Sequence, residues 1–534
     1  MSTPAAPEGE SRNIRLTMLG IMLAMLLAML DNAVVGTSMP TIVGDLGGLA
    51  HISWVVTAYA LATAAATPVW GKFGDLFGRK KVFLVSIVVF LLGSVLSGAA
   101  QSMGQLIGFR AVQGLGAGGI AALAFALIGS LVSPLERGRY QGMTASVMAI
   151  GTLGGPLMGG FVADHLGWRW AFYVNIPLGL LALVWCAALL KLPAVRAKAR
   201  IDWPGIFLMT ATITSIVLAA SWAGGRYAWG SWQILGLFAA FAAGLALFLA
   251  SQKRAIEPVL PLRVFADRNF RLTSVMIFGA GVVMFGATLY LPLFQQSVQH
   301  ASAGNSGLLL LPLMVPIALV SNVAGKVMSR TGRYKIFPIL GAGFLTLGTG
   351  LLATMDTGTS RTLAGAYMAL VGIGLGFLMQ MVTTIAQNSV EMRDMGVASA
   401  GVTLFRTIGG SLGVAVFGSL FARATAAHLP GGAGSAEGGG ITAADLARLP
   451  QGVRDGYLQA VATGTQQIFL LACCLCALAF VAALFIREVP LRGKPGAGPG
   501  RGQGPGPGAG AAAGAAAAGA AAGKSGAPLP ASID

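Results

Sequence analysis

Charged side chains are scarce in this sequence. Only 10% of its 534 residues are Asp, Glu, Lys or Arg, whereas a soluble domain carries roughly 25%, so a water-facing surface of this size could not be clothed. Acids are the rarer sign, 18 against 35 Lys and Arg. The four cysteines, Cys186, Cys473, Cys474 and Cys476, all sit within apolar runs, which excludes a disulfide framework. Cys473-Cys474-x-Cys476 has none of the polar neighbours that hold metal ligands in place, and no metal site is expected. A Walker-type phosphate loop is missing, which argues against ATP as the energy source. No catalytic dyad stands out either, so neither an enzyme nor a bound cofactor is expected.

What the sequence has is apolar length. Hydrophobic residues make up 55%, and the mean hydropathy is +0.76. Runs such as 82–100 and 336–355 carry no charge, and each is long enough to cross ~30 Å of hydrocarbon as a helix. The chain therefore reads as an all-α membrane protein. Apolar runs separated by short charged or Gly/Pro loops predict fourteen spans: 16–38, 51–70, 82–100, 105–128, 140–163, 170–190, 203–222, 231–250, 270–296, 306–328, 336–355, 362–388, 396–421 and 466–486. Arg12 and Arg15 before the first run mimic a signal peptide, but that run continues through Asp31 to Met39-Pro40 and reads as an uncleaved span.

Loop charge sets the orientation. With the N-terminus in the cytoplasm, most Lys and Arg residues fall on the cytoplasmic side. The exceptions are Arg169, Arg226, Arg361, Arg423, Arg448 and Arg454 outside, and Arg110 and Arg406 within spans. Both termini are thus expected in the cytoplasm, in a multi-pass protein of the cell inner (plasma) membrane. The same bias explains the formal charge of +17 without nucleic acid.

An internal repeat is also present. Gly71-Lys72-Phe73-Gly74-Asp75-Leu76-Phe77-Gly78-Arg79-Lys80-Lys81 returns as Gly325-Lys326-Val327-Met328-Ser329-Arg330-Thr331-Gly332-Arg333-Tyr334-Lys335, and Thr152-Leu153-Gly154-Gly155 as Thr407-Ile408-Gly409-Gly410, at nearly one offset. The repeat divides the chain into an N-terminal segment 1–15, a six-helix bundle 16–190, two inserted helices with their loops in 191–268, and a second six-helix bundle 269–488. Residues 422–465 read as an extracytoplasmic loop with a short helix starting at Thr442-x-x-Asp445. The Gly/Pro/Ala-rich tail 489–534 reads as disordered.

Four motifs carry a resemblance. They are Leu30-Asp31-x-x-Val34-Val35 with Pro40 in span 1, Gly71 to Lys81 in loop 2–3, Arg110-x-x-Gln113-Gly114 in span 4, and Gly151-x-x-Gly154-Gly155-Pro156-x-x-Gly159-Gly160 in span 5. Trp168-Arg169-Trp170-x-Phe172-x-x-Asn175-x-Pro177 adds a fifth signature. Over residues 16–488 the chain resembles the fourteen-span drug:proton antiporters of the major facilitator superfamily. The resemblance implies the major facilitator fold and proton-driven export of lipophilic drugs or antibiotics by alternating access. It also implies that loop 2–3 latches the two halves on the cytoplasmic side, with Gly71, Gly74, Asp75, Gly78 and Arg79 as its working parts. It marks Gly151, Gly154, Gly155, Pro156 and Gly159 as the helix 5 motif of antiporters. Protons would be the coupling ion, and a monomer in the bilayer is expected.

The residues themselves point the same way. Asp31 is the one acid placed well inside a span, and a carboxylate there costs at least ~2.5–3.5 kcal/mol on insertion scales, a functional hypothesis by default. Arg110 lies at an equal depth, roughly 8–10 Å below the outer surface. Burial opposes the charged form of Asp31 and a nearby guanidinium supports it; sequence leaves that balance, and direct pairing, open. Asn32, Tyr59, Gln113, Met148, Gln380, Gln387 and Arg406 are candidates for the substrate cavity. Arg406 has no evident acidic partner, and either faces the cavity or bonds backbone carbonyls. One acid, a few amides and many soft methionines (Met148, Met276, Met284, Met379, Met381) suit neutral or singly cationic lipophiles. The competing readings are a dedicated exporter of one endogenous metabolite or self-made antibiotic, and a membrane sensor without transport.

Overall fold

The computed structural model describes residues 8–46, 52–132, 134–190, 192, 201–223, 227–299, 309–428 and 451–489. Among these residues the long elements are all helices: α1 (Glu8–Leu46), α2 (Ile52–Phe77), α3 (Arg79–Gly98), α4 (Met103–Leu131), α5 (Pro134–His165), α6 (Asn175–Leu189), α7 (Trp203–Trp222), α8 (Trp232–Arg254), α9 (Arg268–Ser297), α10 (Leu311–Thr331), α11 (Ile336–Leu352), α12 (Arg361–Asn388), α13 (Met395–His428) and α14 (Gln451–Leu484). The helices start where short polar side chains can cap free N–H groups: Ser102, Asp202, Ser231, Asp267 and Ser360 each accept a hydrogen bond from a backbone N–H three residues on.

Eleven of these helices are long and apolar enough to cross a membrane, and α11 is a shorter apolar one. The remaining two, α2 and α5, are long helices held among others: α2 packs on α4 and α13, and α5 on α1 and α10. Every predicted span coincides with a helix. The clearest departure is the last one. Residues 451–465, read from sequence as part of a loop, continue α14 by four turns. They are polar enough to resemble a loop, yet Tyr457, Val461 and Ala462 join the core of the second half. Thr442, Asp445 and the tail 490–534 lie outside the described residues.

The repeat is visible in the packing. In the first half α4 packs on α2 and α3, α1 on α5 and α6, and α3 on α6; in the second, α12 packs on α10 and α11, α9 on α13 and α14, and α11 on α14. Shifted by eight helices, the two lists are the same. The halves meet by exchanging equivalent contacts, α2 with α13 and α10 with α5. Helix α7 lies against α2 and α13 with α8 outside it, through a cluster that includes Ala64, Ile213, Val217 and Leu404.

Glycine explains the closeness at two kinds of position. Gly78 and Gly332 occupy the same place in the two repeat copies, and both have positive φ, 95° and 69°, where a Cβ is strained. Each turns the chain out of one helix toward the next. On α4, a Cβ at Gly116 would strike the backbone of Phe90 on α3, whereas one at Gly104 or Gly108 would meet nothing. Gly116→Ala should therefore lower the melting temperature of the detergent-solubilised protein, through about 1–3 kcal/mol of overpacking. Gly108→Ala should leave it unchanged or slightly raised. Equal melting temperatures for the two variants would contradict this packing.

Candidate functional site

Asp31 and Arg110 are in direct contact. Arg110 Nη1 donates to Asp31 Oδ2 at 2.6 Å, and neither side chain has any exposure. The carboxylate's other oxygen accepts from Gln113 Nε2 and from Asn175 Nδ2, both at 2.7 Å. Arg110 also donates to Gln113 Oε1 at 2.8 Å, which orients that amide so that its nitrogen faces Asp31. Asn175 donates to Ser94 Oγ at 2.9 Å, which donates in turn to the Phe172 carbonyl at 2.8 Å. Tyr59 lies beneath the guanidinium, its ring centroid 4.0 Å from Cζ, and its hydroxyl donates to the Ala28 carbonyl at 3.3 Å. Five helices, α1, α2, α3, α4 and α6, thus supply one buried polar unit.

That unit is not fully satisfied. Arg110 Nε and Nη2 are buried without a partner among the described residues, and a buried donor left unpaired costs ≈ 1–3 kcal/mol, more when charged. The charge is compensated by Asp31 while two nitrogens of the guanidinium make no hydrogen bond among the described residues. Asn175 and Ser94 were not singled out from sequence as site residues. Asn175 stood within the span 6 signature, and a polar amide in an apolar run was the available signal.

At the opposite end of the bundle from this unit lie the residues expected to form the latch. Asp75, at the end of α2, accepts from the backbone N–H of Gly396 at 3.2 Å and of Val397 at 3.1 Å. These are the first free donors of α13, so a carboxylate from one half caps a helix of the other, where the helix dipole favours negative charge. Arg79 holds Asp75 from its other side at 2.8 Å and reaches Met395 Sδ at 3.9 Å. A Cβ at Gly71 would strike Gly396 and Ala400, and one at Gly74 would strike Leu123. The second copy has no such carboxylate: Ser329 donates to the Gly325 carbonyl of its own helix. Gly325 instead meets the backbone of Gly138 directly, and Asn322 donates to Ser146 Oγ at 2.7 Å.

Above the latch, amides stitch the halves together. Gln141 donates to Gln387 at 3.1 Å, Gln387 to the Phe125 carbonyl at 3.1 Å and to Ser399 at 2.9 Å, and Thr144 to Gln380 at 3.3 Å. Thr384 donates to Gln141. Gln387, expected from sequence to line the substrate cavity, is sealed in this seam.

The cavity begins one level higher, a small and nearly closed space of about 20 Å³ between α5, α9, α10 and α12. Met148, Met284, Met314 and Met379 line it, with Thr152 and Gln380 as its polar side chains. Small-molecule sites typically have volumes of about 300–1,000 Å³, so a molecule of that size enters only if these helices part. Met276 and Met381 are buried elsewhere in the second-half core, whereas Met314 was missed. Tyr59 and Gln113 belong to the Asp31 unit rather than to this pocket. Asn32 is exposed on α1 and Arg406 partly exposed on α13, and neither lines the pocket. Gly151 and Gly155 of the helix 5 motif meet Met29 and Ala33 of α1, with Gly154 near Leu30, so the motif seats α5 on the helix that carries Asp31. Gly159 is also buried; the side chain of Pro156 lies outside the description. Among the described residues no His, Cys, Asp and Glu group could hold a metal ion.

Two bundles of six related by a repeat, meeting around a central pocket, define a membrane transporter of the major facilitator type. The chain belongs to the Major Facilitator Superfamily, whose profile matches residues 21–414. It is 39% identical over 487 residues to an uncharacterized MFS-type transporter of Mycobacterium tuberculosis, covering 90% of this chain and 70% of that one. It is 36% identical over 415 residues to the multidrug transporter protein MdtP of Bacillus subtilis, covering 77% and 76%. Among solved structures, the human organic anion transporter MFSD10 matches with a TM-score of 0.58 at 14% identity, over 88% of this chain and 100% of that one. This last likeness is one of fold.

Two outcomes follow from the geometry. Asp31→Asn or Arg110→Gln alone leaves its partner unbalanced, a loss of roughly 3–5 kcal/mol for a buried pair. The double variant should recover at least ~1 kcal/mol of the summed loss, read from melting temperatures; additive losses would contradict direct coupling. Asp75→Ala removes the cap on α13, a loss of about 0.5–2 kcal/mol. Spin labels on the latch ends of α2 and α13 should then report a broader, longer distance distribution, and an unchanged one would rule out the latch.

Proposed function

We propose that this chain is a proton-coupled antiporter that exports lipophilic, drug-like compounds from the cytoplasm by alternating access. The observation that carries the reading is the sealed Asp31 carboxylate, paired with Arg110 at membrane depth while that guanidinium keeps two unused donors. An ion pair wanted only for stability would be poorly chosen here, since a buried pair often does no better than apolar residues of the same volume. A titrating carboxylate gives it a purpose. The naming of MdtP as a multidrug transporter and the methionine-lined pocket support a lipophilic cargo, because thioether side chains adapt to many shapes.

Protonation removes the charge on Asp31 and leaves Arg110 without its counterion. Gln113 and Asn175, which both donate to the carboxylate, would lose an acceptor of full charge. The unit then relaxes by moving α4 against α1. Helix α4 runs on to the latch end, where Gly129 packs against Met395 and Gln387 and Phe125 accepts from Gln387. One stiff element thus links the proton site to the seam. The arrangement with Asp75 capping α13 is the state closed toward the cytoplasm. One charge crossing ~100 mV supplies ~2.3 kcal/mol, enough for a gradient of roughly 40–50-fold, so one carboxylate suffices.

The test is uptake of a panel of lipophilic dyes into inverted membrane vesicles energised by an acidic interior. Wild-type uptake should collapse with uncoupler, and Asp31→Asn should reduce it to the uncoupled background. Undiminished gradient-driven uptake in Asp31→Asn would overturn the proposal.

A further inference from the structure

Arg406 plays no part in the account above. It lies on α13 eleven residues from Met395, about 16 Å along the helix, deep within the predicted span. Its side chain is partly accessible and makes no ion pair or hydrogen bond among the described residues. An unpaired guanidinium at this depth is costly, and such residues face a partner or a water-filled cavity. Among the described residues the carboxylate at membrane depth is Asp31, already taken by Arg110.

The helix register places Arg406 relative to the pocket. Ser399 on α13 accepts from Gln387 on α12 at 2.9 Å, and these two helices run antiparallel. Seven residues are two turns on nearly the same helix face. Moving up two turns from that bond therefore brings Gln380 on α12 and Arg406 on α13 to facing positions. Gln380 lines the central pocket. On its other flank α13 is pinned to α9, since a Cβ at Gly281 would strike the Arg406 carbonyl, so the backbone cannot back away from the pocket. Arg406 thus stands beside the pocket, outside its lining in this closed arrangement, and brings one uncompensated positive charge to that region.

We infer that Arg406 anchors a carboxylate or similar anionic group on the substrate, so that the preferred cargo is an amphipathic organic anion with an apolar body. The inference rests on the export reading and replaces the expectation of neutral or singly cationic cargo. The methionine-lined walls take the apolar body, and the guanidinium finds in the substrate the counterion that the chain withholds. A cationic cargo meets like charge at the same point. Discrimination between cargoes then comes from repulsion as much as attraction.

The test uses one scaffold with three head groups: 1-pyrenebutanoate, 1-pyrenebutanamide and 1-pyrenebutylamine, titrated against the purified full-length protein in nanodiscs. Wild type should bind the butanoate at least tenfold more tightly than the amine. Arg406→Gln should weaken the butanoate about tenfold and leave the amide within twofold, whereas Arg406→Lys should keep the preference. A butanoate no tighter than the amine in wild type overturns the inference, as does an Arg406→Gln variant that weakens acid and amide alike. Should Arg406→Gln fail to fold, the wild-type ratio of butanoate to amine decides. Gradient-driven uptake of the amide, measured in parallel, separates the two readings: uptake without anion preference defeats this inference alone, and anion preference without any uptake defeats the export reading alone.

Discussion

A carboxylate placed in hydrocarbon has to be answered by the protein around it, and much of the first half is arranged to answer Asp31. Two helices bring donors to the acid on α1: α4 supplies Arg110 and Gln113, and α6 supplies Asn175. Ser94 on α3 fixes Asn175, and Tyr59 on α2 supports the guanidinium. Their approach depends on small residues, because Gly114 and Gly116 let α4 lie against the backbones of α2 and α3. The packing of the first half and the placement of its charge are therefore one problem with one solution.

The second half is built on the same plan without the acid. Its helices pair as those of the first half do, yet Ser329 stands where Asp75 would, and Arg406 has no counterpart to Asp31. Both differences make the molecule electrically lopsided. The contact between the halves draws its charge from α2, and α13 carries a guanidinium without an ion pair among the described residues. At the surface near the Asp31 end, a further carboxylate, Asp45, is held below the usual range by hydrogen bonds from Trp168 and Arg169. That contact ties the end of α1 to the chain leading into α6, so the two helices that flank Asp31 are joined at their ends as well.

Much of this was legible in the sequence, for a physical reason. Charges at membrane depth are so costly that Asp31, Arg110 and Arg406 stand out in a list of residues, and equal depth along their helices was enough to suggest the pair. The latch was legible from its repeat, and the left-handed turns at Gly78 and Gly332 explain why that glycine recurs. What sequence could not supply was the partner drawn from a distant helix. Asn175 and Ser94 carry no charge and look like ordinary residues of apolar spans. Gln387 looks like a cavity residue until the seam in which it is buried is known. Residues 451–465 hid as a loop because their helix is stabilised by neighbours in the second-half core rather than by their own apolarity.

The central claim is that cargo and proton compete through Asp31. Proton release on substrate addition tests it most directly, followed with a pH-sensitive dye in weakly buffered solution of the purified protein near the pH at which export is half-maximal. Wild type should release protons in proportion to the substrate bound, and Asp31→Asn, checked to bind the same substrate, should release none. Equal release from both proteins, or none from either, would contradict the account.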